Sequence, residues 1–200
     1  ERNRDPILNV LKQIISPDGL VNVLEIASGW GYHVTYFAKF FDNVKWQPTD
    51  GDQSCVNKIN QKLASSNKNN SNISKPLAID ATTNHCVWFN GMYQRCHFDC
   101  ILCINMTHIS KWQATEGLFS GSNYYLKPNG SLVIYGPFIV YGDFIHKNNI
   151  SFDKQLKSQT LEWGLRDVSQ LNKVAEDNGM KLEKIFDMPA NNKTLIYRKH

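Results

Sequence analysis

The sequence predicts an α/β fold in three layers, with a mostly parallel sheet of about seven strands between helices and an antiparallel hairpin at its C-terminal edge. Three observations predict it. Strand and helix patterns alternate as far as Tyr135, Phe98–Ile104 is a nearly continuous apolar run, and two strand patterns follow each other directly at the end of the chain. An apolar run of that kind suits a central strand covered on both faces.

The elements follow in order. Ile7, Leu8, Leu11, Ile14 and Ile15 recur at helical spacing after Asp5-Pro6, predicting a helix over Arg4 to Ile15. Ser16-Pro17-Asp18-Gly19 is a turn, and Leu20 to Ile26 is the first buried strand. It leads into Glu25-Ile26-Ala27-Ser28-Gly29-Trp30-Gly31 and then a helix over Tyr32 to Phe41, so the chain reads strand, tight turn, helix. Gly29 and Gly31 allow close approach of a ligand to the backbone, and the amides opening the helix face it. A second strand around Val44 to Gln47 ends at Pro48-Thr49-Asp50. Asp50 follows Gly29 by about 20 residues, the separation at which a strand-tip carboxylate reaches a ribose hydroxyl.

A helix over Asp52 to Ser65 precedes the polar tract Ser66 to Asn72, read as a solvated loop. Pro76 to Asp80 is a third strand, followed by a mixed stretch to Arg95. Phe98–Ile104 ends at Asn105-Met106-Thr107-His108. Gln113 to Leu126 reads as a helix, Lys127-Pro128-Asn129-Gly130 as a turn, and Ser131 to Tyr135 as a strand. Ile139 to Ser151 reads as a loop, Asp167 to Asn178 as a helix, and Lys181 to Asp187 and Thr194 to Arg198 as the closing strands.

Composition sets bounds. Two hundred residues with 42% apolar and 20% charged side chains suit one soluble domain, 1–200. The net charge of +4 is scattered along the chain, which argues against a nucleic-acid partner. No apolar run is long enough to span a bilayer. Five cysteines without a signal peptide indicate free thiols in a reducing compartment. A cytoplasmic location is expected, with the nucleus open as well. The chain starts at Glu1 without Met, which leaves room for a preceding or removed segment. Nothing indicates an oligomer, and a monomer is favoured.

The ordered set of features resembles the class I S-adenosylmethionine-dependent methyltransferases, which have a Rossmann-like sheet with a reversed terminal strand. Glu25 to Gly31 looks like their first motif, Asp50 their ribose carboxylate, Asp80-Ala81 the pair beside the adenine, and Leu126 to Gly130 the turn before their fifth strand. Ala27 departs from the pattern, since many members have glycine there. A closer resemblance covers nearly the whole chain. Glu1 to Leu8, Leu24 to Gly29, Trp46 to Asp50, Ile104 to Ser110, Tyr135 to Phe138, Phe152-Asp153, Trp163 to Asp167 and Met188 to Asn192 are similar to the methyltransferase-like protein twenty-six family. That family is named for its fold and its substrate is not established. The resemblance implies S-adenosylmethionine as cofactor, S-adenosylhomocysteine as product and no metal. It leaves open a non-catalytic module that binds the same cofactor.

In such folds the crevice lies beyond the carboxyl ends of the strands. Glu25, Ala27, Ser28, Gly29, Gly31, Asp50, Asp80, Ala81 and Asn105 are the expected cofactor residues. Arg2, Asn3 and Arg4 are placed to fold over the cofactor's carboxylate, with a solvated terminus as the plain alternative. Trp112, Tyr135, Phe138 and Asn191, with Asn192 beside it, are expected on the acceptor side. His108 is the candidate general base, although a histidine after a strand is more often a local hydrogen-bonding residue and methyl transfer does not always need a base. Arg166 is read as structural in preference to binding an acidic substrate. The acceptor is a small molecule or a protein side chain. After the fourth strand the chain has Asn105-Met106-Thr107-His108, not the Asn/Asp-Pro-Pro-Tyr/Phe loop of many nucleobase amino-methyltransferases and not a Pro-Cys pair.

Cys96, Cys100 and Cys103 share the Cys-x3-Cys-x2-Cys spacing of radical enzymes that bind an iron-sulfur cluster. Cys100 and Cys103 fall inside a predicted strand and point to opposite faces, which disfavours a cluster. A zinc site from His85, Cys86, Cys96 and His97 matches no compact finger spacing.

Overall fold

The computed structural model describes residues 2–65 and 70–200. Residues 66–69, part of the tract expected to be a solvated loop, lie outside the described residues, as does Glu1. The elements run α1 (Arg4–Ile14), β1 (Val21–Ile26), α2 (Tyr32–Phe37), β2 (Val44–Asp50), α3 (Gln53–Ser65), β3 (Leu77–Ala78) and β4 (Phe98–Ile104). There follow α4 (Trp112–Tyr125), β5 (Leu126–Gly136), β6 (Phe138–Ile139), α5 (Lys147–Gln159), β7 (Arg166–Asp167), α6 (Val168–Asp177), β8 (Met180–Met188) and β9 (Asn192–Lys199).

Seven strands form one sheet in the order β3-β2-β1-β4-β5-β9-β8. Its first five strands pair in parallel, and β9 runs antiparallel between β5 and β8. The expected α/β architecture with a reversed C-terminal hairpin is therefore the one observed. Strand order reverses direction between β1 and β4, and there the connections leaving the two strands diverge and open a crevice.

Side-chain alternation along β4 and β5 sorts the core into two halves. Ile101, Cys103, Leu132 and Ile134 face α4 and α6, packing with Leu118, Phe119 and Leu171. Cys100, Leu102, Val133 and Tyr135 face α1 and α2, packing with Ile7, Leu11, Val34 and Phe37. Cys100 and Cys103 therefore lie under different helical layers, and the three sulfurs of the Cys-x3-Cys-x2-Cys pattern do not converge on a cluster site.

Several boundaries differ from expectation. The third strand is only two residues long, because Pro76 has no N–H to donate and the strand lies at the sheet edge. β5 begins at Leu126, so Lys127 to Gly130 is an irregular start of the strand; the register with β4 shifts between Phe98 and Cys100. The stretch read as a loop over Ile139 to Ser151 takes in the second residue of β6, which pairs with β7, and the start of α5. The inner face of α5 is polar, with Asn149 and Asp153 buried beside Leu156. That leaves too few apolar positions to show a helical period.

Among the described residues no helix is long and apolar enough to cross a membrane.

Candidate functional site

The loop after β1 is wound tightly. Ala27, Gly29 and Gly31 all adopt left-handed φ, at 57°, 55° and 69°. A β-carbon on Gly31 would stand 3.0 Å from Ile59 Cγ1 on α3, so the left-handed backbone favours glycine there and a side chain would press on Ile59. Ala27 holds the same region with a methyl group, a strained backbone position of the kind that collects at ligand sites.

The tip of β2 fixes this loop. Ser28 N–H donates to the Thr49 carbonyl at 2.8 Å, and Thr49 N–H donates to Ser28 Oγ at 3.2 Å. Gly29 N–H donates to Asp50 Oδ2 at 2.7 Å, while Asp50 Oδ1 accepts from Asp52 N–H at 2.9 Å. Each carboxylate oxygen keeps a further acceptor position. The Asp50 carbonyl accepts from Ile79 N–H at 2.9 Å, which brings Asp80-Ala81 alongside. Asp80 Oδ1 caps its own turn by accepting from Thr82 N–H and Oγ1, both at 2.8 Å.

Glu25 is 1% exposed on the face shared with α1 and α2, and its Oε2 has no hydrogen-bond partner among the described residues. Burial pushes its carboxyl up to about 7, with Ser28 pulling the other way and the nearby Asp50 charge adding to the rise. A buried, half-satisfied carboxyl at a central strand tip is set to meet a donor or a cation.

These elements enclose a cleft of about 410 Å³ lined by Arg4, Ala27, Ser28, Gly29, Trp30, Tyr32, His33, Ile104 and Asn105. That lies within the range of ligand sites, roughly 300–1,000 Å³. Asn105, also left-handed at 59°, anchors to β5 by donating its N–H to the Tyr135 carbonyl at 2.9 Å. Asn3, at the start of α1, closes the side. Its Oδ1 lies 3.1 Å from His33 Nε2, and its side chain hydrogen-bonds Tyr135, partly offsetting the rise that burial imposes on that phenol.

Of the expected residues, Arg4, Ala27, Ser28, Gly29 and Asn105 line this cleft, whereas Asn3, Glu25, Gly31, Asp50, Asp80, Ala81 and Tyr135 do not, and neither do the following. Arg2 is exposed. Phe138 is fully buried in the core half beneath α4 and α6. Trp112 donates from Nε1 to Glu116 Oε1 at 3.0 Å, and the Asn191 carbonyl accepts from Asn149 Nδ2 at 3.2 Å. His108 is 5% exposed, edge-on to Phe152 with ring centroids 5.8 Å apart, and its Nδ1 lacks a partner among the described residues. Burial pulls its imidazole down to about 4, with the Arg166 charge adding to the effect. Arg166 donates to the backbone carbonyls of Thr107, Ser110 and Glu162, holding the segment after β4 through backbone groups where a carboxylate partner was expected.

Trp30, Tyr32 and His33 are site residues that sequence reasoning quoted within the loop without singling out. The available signal was two aromatics and an imidazole placed directly on a glycine turn. The packing beneath Asp80-Ala81 was also missed: a β-carbon on Gly117 of α4 would lie 1.8 Å from the Ala81 carbonyl oxygen, and one on Gly121 would lie 2.2 Å from the Trp88 ring.

The DUF938 family, described as a protein of unknown function, matches residues 1–199. The chain belongs to that family. Its fold is similar to those of solved methyltransferases. An O-methyltransferase family protein from Burkholderia thailandensis superposes with a TM-score of 0.75 at 14% identity, over 98% of this chain and 55% of that one. CalO1, a methyltransferase in calicheamicin biosynthesis solved with S-adenosylhomocysteine bound, gives 0.73 at 9% identity over 98% and 54%. The S-adenosylmethionine-dependent methyltransferase SibL gives 0.73 at 12% over 98% and 55%. This DUF938 chain thus spans about half the length of these proteins, and at such identities the likeness is one of fold.

Proposed function

We propose that this DUF938 chain is a single methyltransferase domain that binds S-adenosylmethionine in the cleft at the tip of β1 and transfers its methyl group to a small molecule or a protein side chain. The observation that carries the reading is the strained 27–31 loop clamped through Gly29 N–H to Asp50, at the point where strand order reverses. The residues present fit the cofactor. The free acceptor positions of Asp50 suit ribose hydroxyls, Asp80-Ala81 lies next along the edge for the adenine, and the unpartnered Glu25 Oε2 lacks a donor that a cationic ligand would bring. Kinship with the methyltransferase-like protein twenty-six family is part of this proposal and rests on the strings quoted above.

When bound, the cofactor supplies a methyl group already activated on a sulfonium. What the chain contributes is orientation and exclusion of water. The 27–31 loop and Asn105 wall the site, and the Asn3 bridge from His33 to Tyr135 closes its side. His108 is not assigned the proton, because it is buried away from the cleft lining. Nucleic acid is disfavoured as acceptor, and no metal is invoked.

Calorimetry on the full chain tests the reading. S-adenosylhomocysteine is expected to bind, and Asp50→Ala to weaken it by about 10-fold or more, the scale of a lost charge-assisted hydrogen bond. Absence of binding by both S-adenosylmethionine and S-adenosylhomocysteine to folded protein would end the proposal. A second reading is a non-catalytic module binding the same cofactor. Tight binding with no transfer of labelled methyl to any cell-extract fraction would select it.

A further inference from the structure

Lys199, the last residue of β9, is 5% exposed, and among the described residues it is in no ion pair. Its side chain reaches the C-terminal end of α4, where Nζ donates to the Asn123 carbonyl and, at 2.6 Å, to the Leu126 carbonyl. A third neighbour is Cys96 Sγ, 3.6 Å from Nζ. Carbonyls at a helix C-terminus suit a cation, but they cannot neutralise it. Of the three neighbours only the sulfur can take up a negative charge.

Cys96 is fixed opposite this lysine by its backbone. Its N–H donates to the Tyr124 carbonyl at 3.0 Å, and the next N–H, of His97, donates to the Tyr125 carbonyl at 2.9 Å. The thiol is half-buried, whereas Cys100 and Cys103 are buried. A small oxidant therefore reaches Cys96 while the fold stays closed, and the sulfur it oxidises already touches an amine. A sulfenic acid in contact with a nitrogen is the arrangement from which sulfenamides form.

We propose that Cys96 and Lys199 are a peroxide-responsive pair that closes into a covalent link between the segment before β4 and the end of β9. In the first step Cys96 Sγ attacks one oxygen of hydrogen peroxide and the O–O bond breaks. The sulfur is oxidised to a sulfenic acid, and the departing hydroxide takes the thiol proton and leaves as water. In the second step Lys199 Nζ, having given one proton to water, attacks Sγ. The S–O bond breaks, an S–N bond forms, and the hydroxyl departs as a second water with one of the two remaining amine protons. A small thiol reverses the link: one equivalent breaks the S–N bond to give a mixed disulfide and the free amine, and a second releases Cys96. The pair is independent of the cofactor reading.

Limited hydrogen peroxide on the full chain tests the pair, with Cys86 as internal reference. Cys86 is the exposed thiol, so accessibility alone would oxidise it first. Cys96 is expected to react about 10-fold faster than Cys86, the direction set by the adjacent ammonium. In a proteolytic digest it should appear joined to Lys199, the linked peptides lighter than their sum by two hydrogens and separated by dithiothreitol. Lys199→Arg keeps a cation beside the sulfur but offers no nucleophilic amine, so Cys96 should stop at the sulfenic acid and be captured by dimedone. Lys199→Met should slow Cys96 to the rate of Cys86 or below. Cys96→Ser should give no link at Lys199. If a lysine variant fails to fold, the wild-type digest decides by itself. Oxidation of Cys86 ahead of Cys96, or oxidised wild-type Cys96 with no peptide joined to Lys199, overturns the proposal.

Discussion

The two ends of the sheet differ in how their charged and polar side chains are satisfied. At the amino end of the parallel strands, charge is paired and backbone is capped. Asp99 accepts from Asn22 N–H at 2.8 Å and from Lys127 Nζ at 2.8 and 2.9 Å, Arg198 bridges Glu183 and the Asn129 carbonyl, and Asn43 Nδ2 donates to the Ser16 and Gly19 carbonyls. At the carboxyl end, Glu25 Oε2, Thr107 Oγ1, His108 Nδ1, Ser110 Oγ and Thr194 Oγ1 are buried without partners among the described residues, while left-handed backbone occurs at both ends, at Ala27 and Asn105 here and at Cys96 and Asn129 there. Both ends are made of the same strands. Unpartnered buried groups are thus tolerated at the carboxyl end, and a ligand that satisfied them would bind by relieving them.

Three measurements test that contrast. The largest effect is expected at Gly117, where a β-carbon meets the Ala81 carbonyl oxygen, which a rotamer change cannot move. Gly117→Ala should lose about 4 kcal/mol in urea denaturation although alanine is the better helix former. If part of the clash is relieved by moving the Asp80 turn, S-adenosylhomocysteine affinity should fall as well. Unchanged stability and affinity would show that the close approach of α4 to this turn does not matter.

Next is Glu25. Its folded carboxyl titrates at about 7 against an ordinary value of 4.5, so the folded state holds the proton over a range where the unfolded chain has lost it. Stability is therefore lost as pH rises from 4.5 through 7, by about 3 kcal/mol in full. Glu25→Gln should recover about that much at pH 8 and little at pH 4, while weakening the cofactor. A gain that did not depend on pH would contradict the assignment of an unfavourable buried charge. The smallest effect belongs to the amino end. Asp99, about one-third exposed, should cost about 1 kcal/mol as Asp99→Asn and leave S-adenosylhomocysteine affinity unchanged. An affinity change there would mean that the two ends are coupled.

The sequence was most legible where local pattern and burial agree. Phe98–Ile104 is a strand over the residues expected, because both its faces are covered and its apolar run is unbroken. The glycine turn and the reversed hairpin were legible for the same reason. α5 was not, since Asn149 and Asp153 take inward positions where apolar residues would have marked the period, and Asp153 is satisfied by Lys157 and by Leu165 N–H. The pairing of Phe138-Ile139 with Arg166-Asp167 joins two dipeptides far apart in sequence, which no local window can see. In the site, strand-tip carboxylates could be read from spacing. The burial of Phe138 and His108, and the partner that Asn3 gives to His33, depend on packing between distant segments.

Cys100 and Cys103 are three positions apart on β4, yet one thiol is sealed beneath α1 and α2 and the other beneath α4 and α6. Burial pushes both up to about 12, so neither reacts until its own cover lifts. Alkylation followed residue by residue therefore makes the central strand a two-channel recorder, timing the release of each helical layer separately without any introduced label.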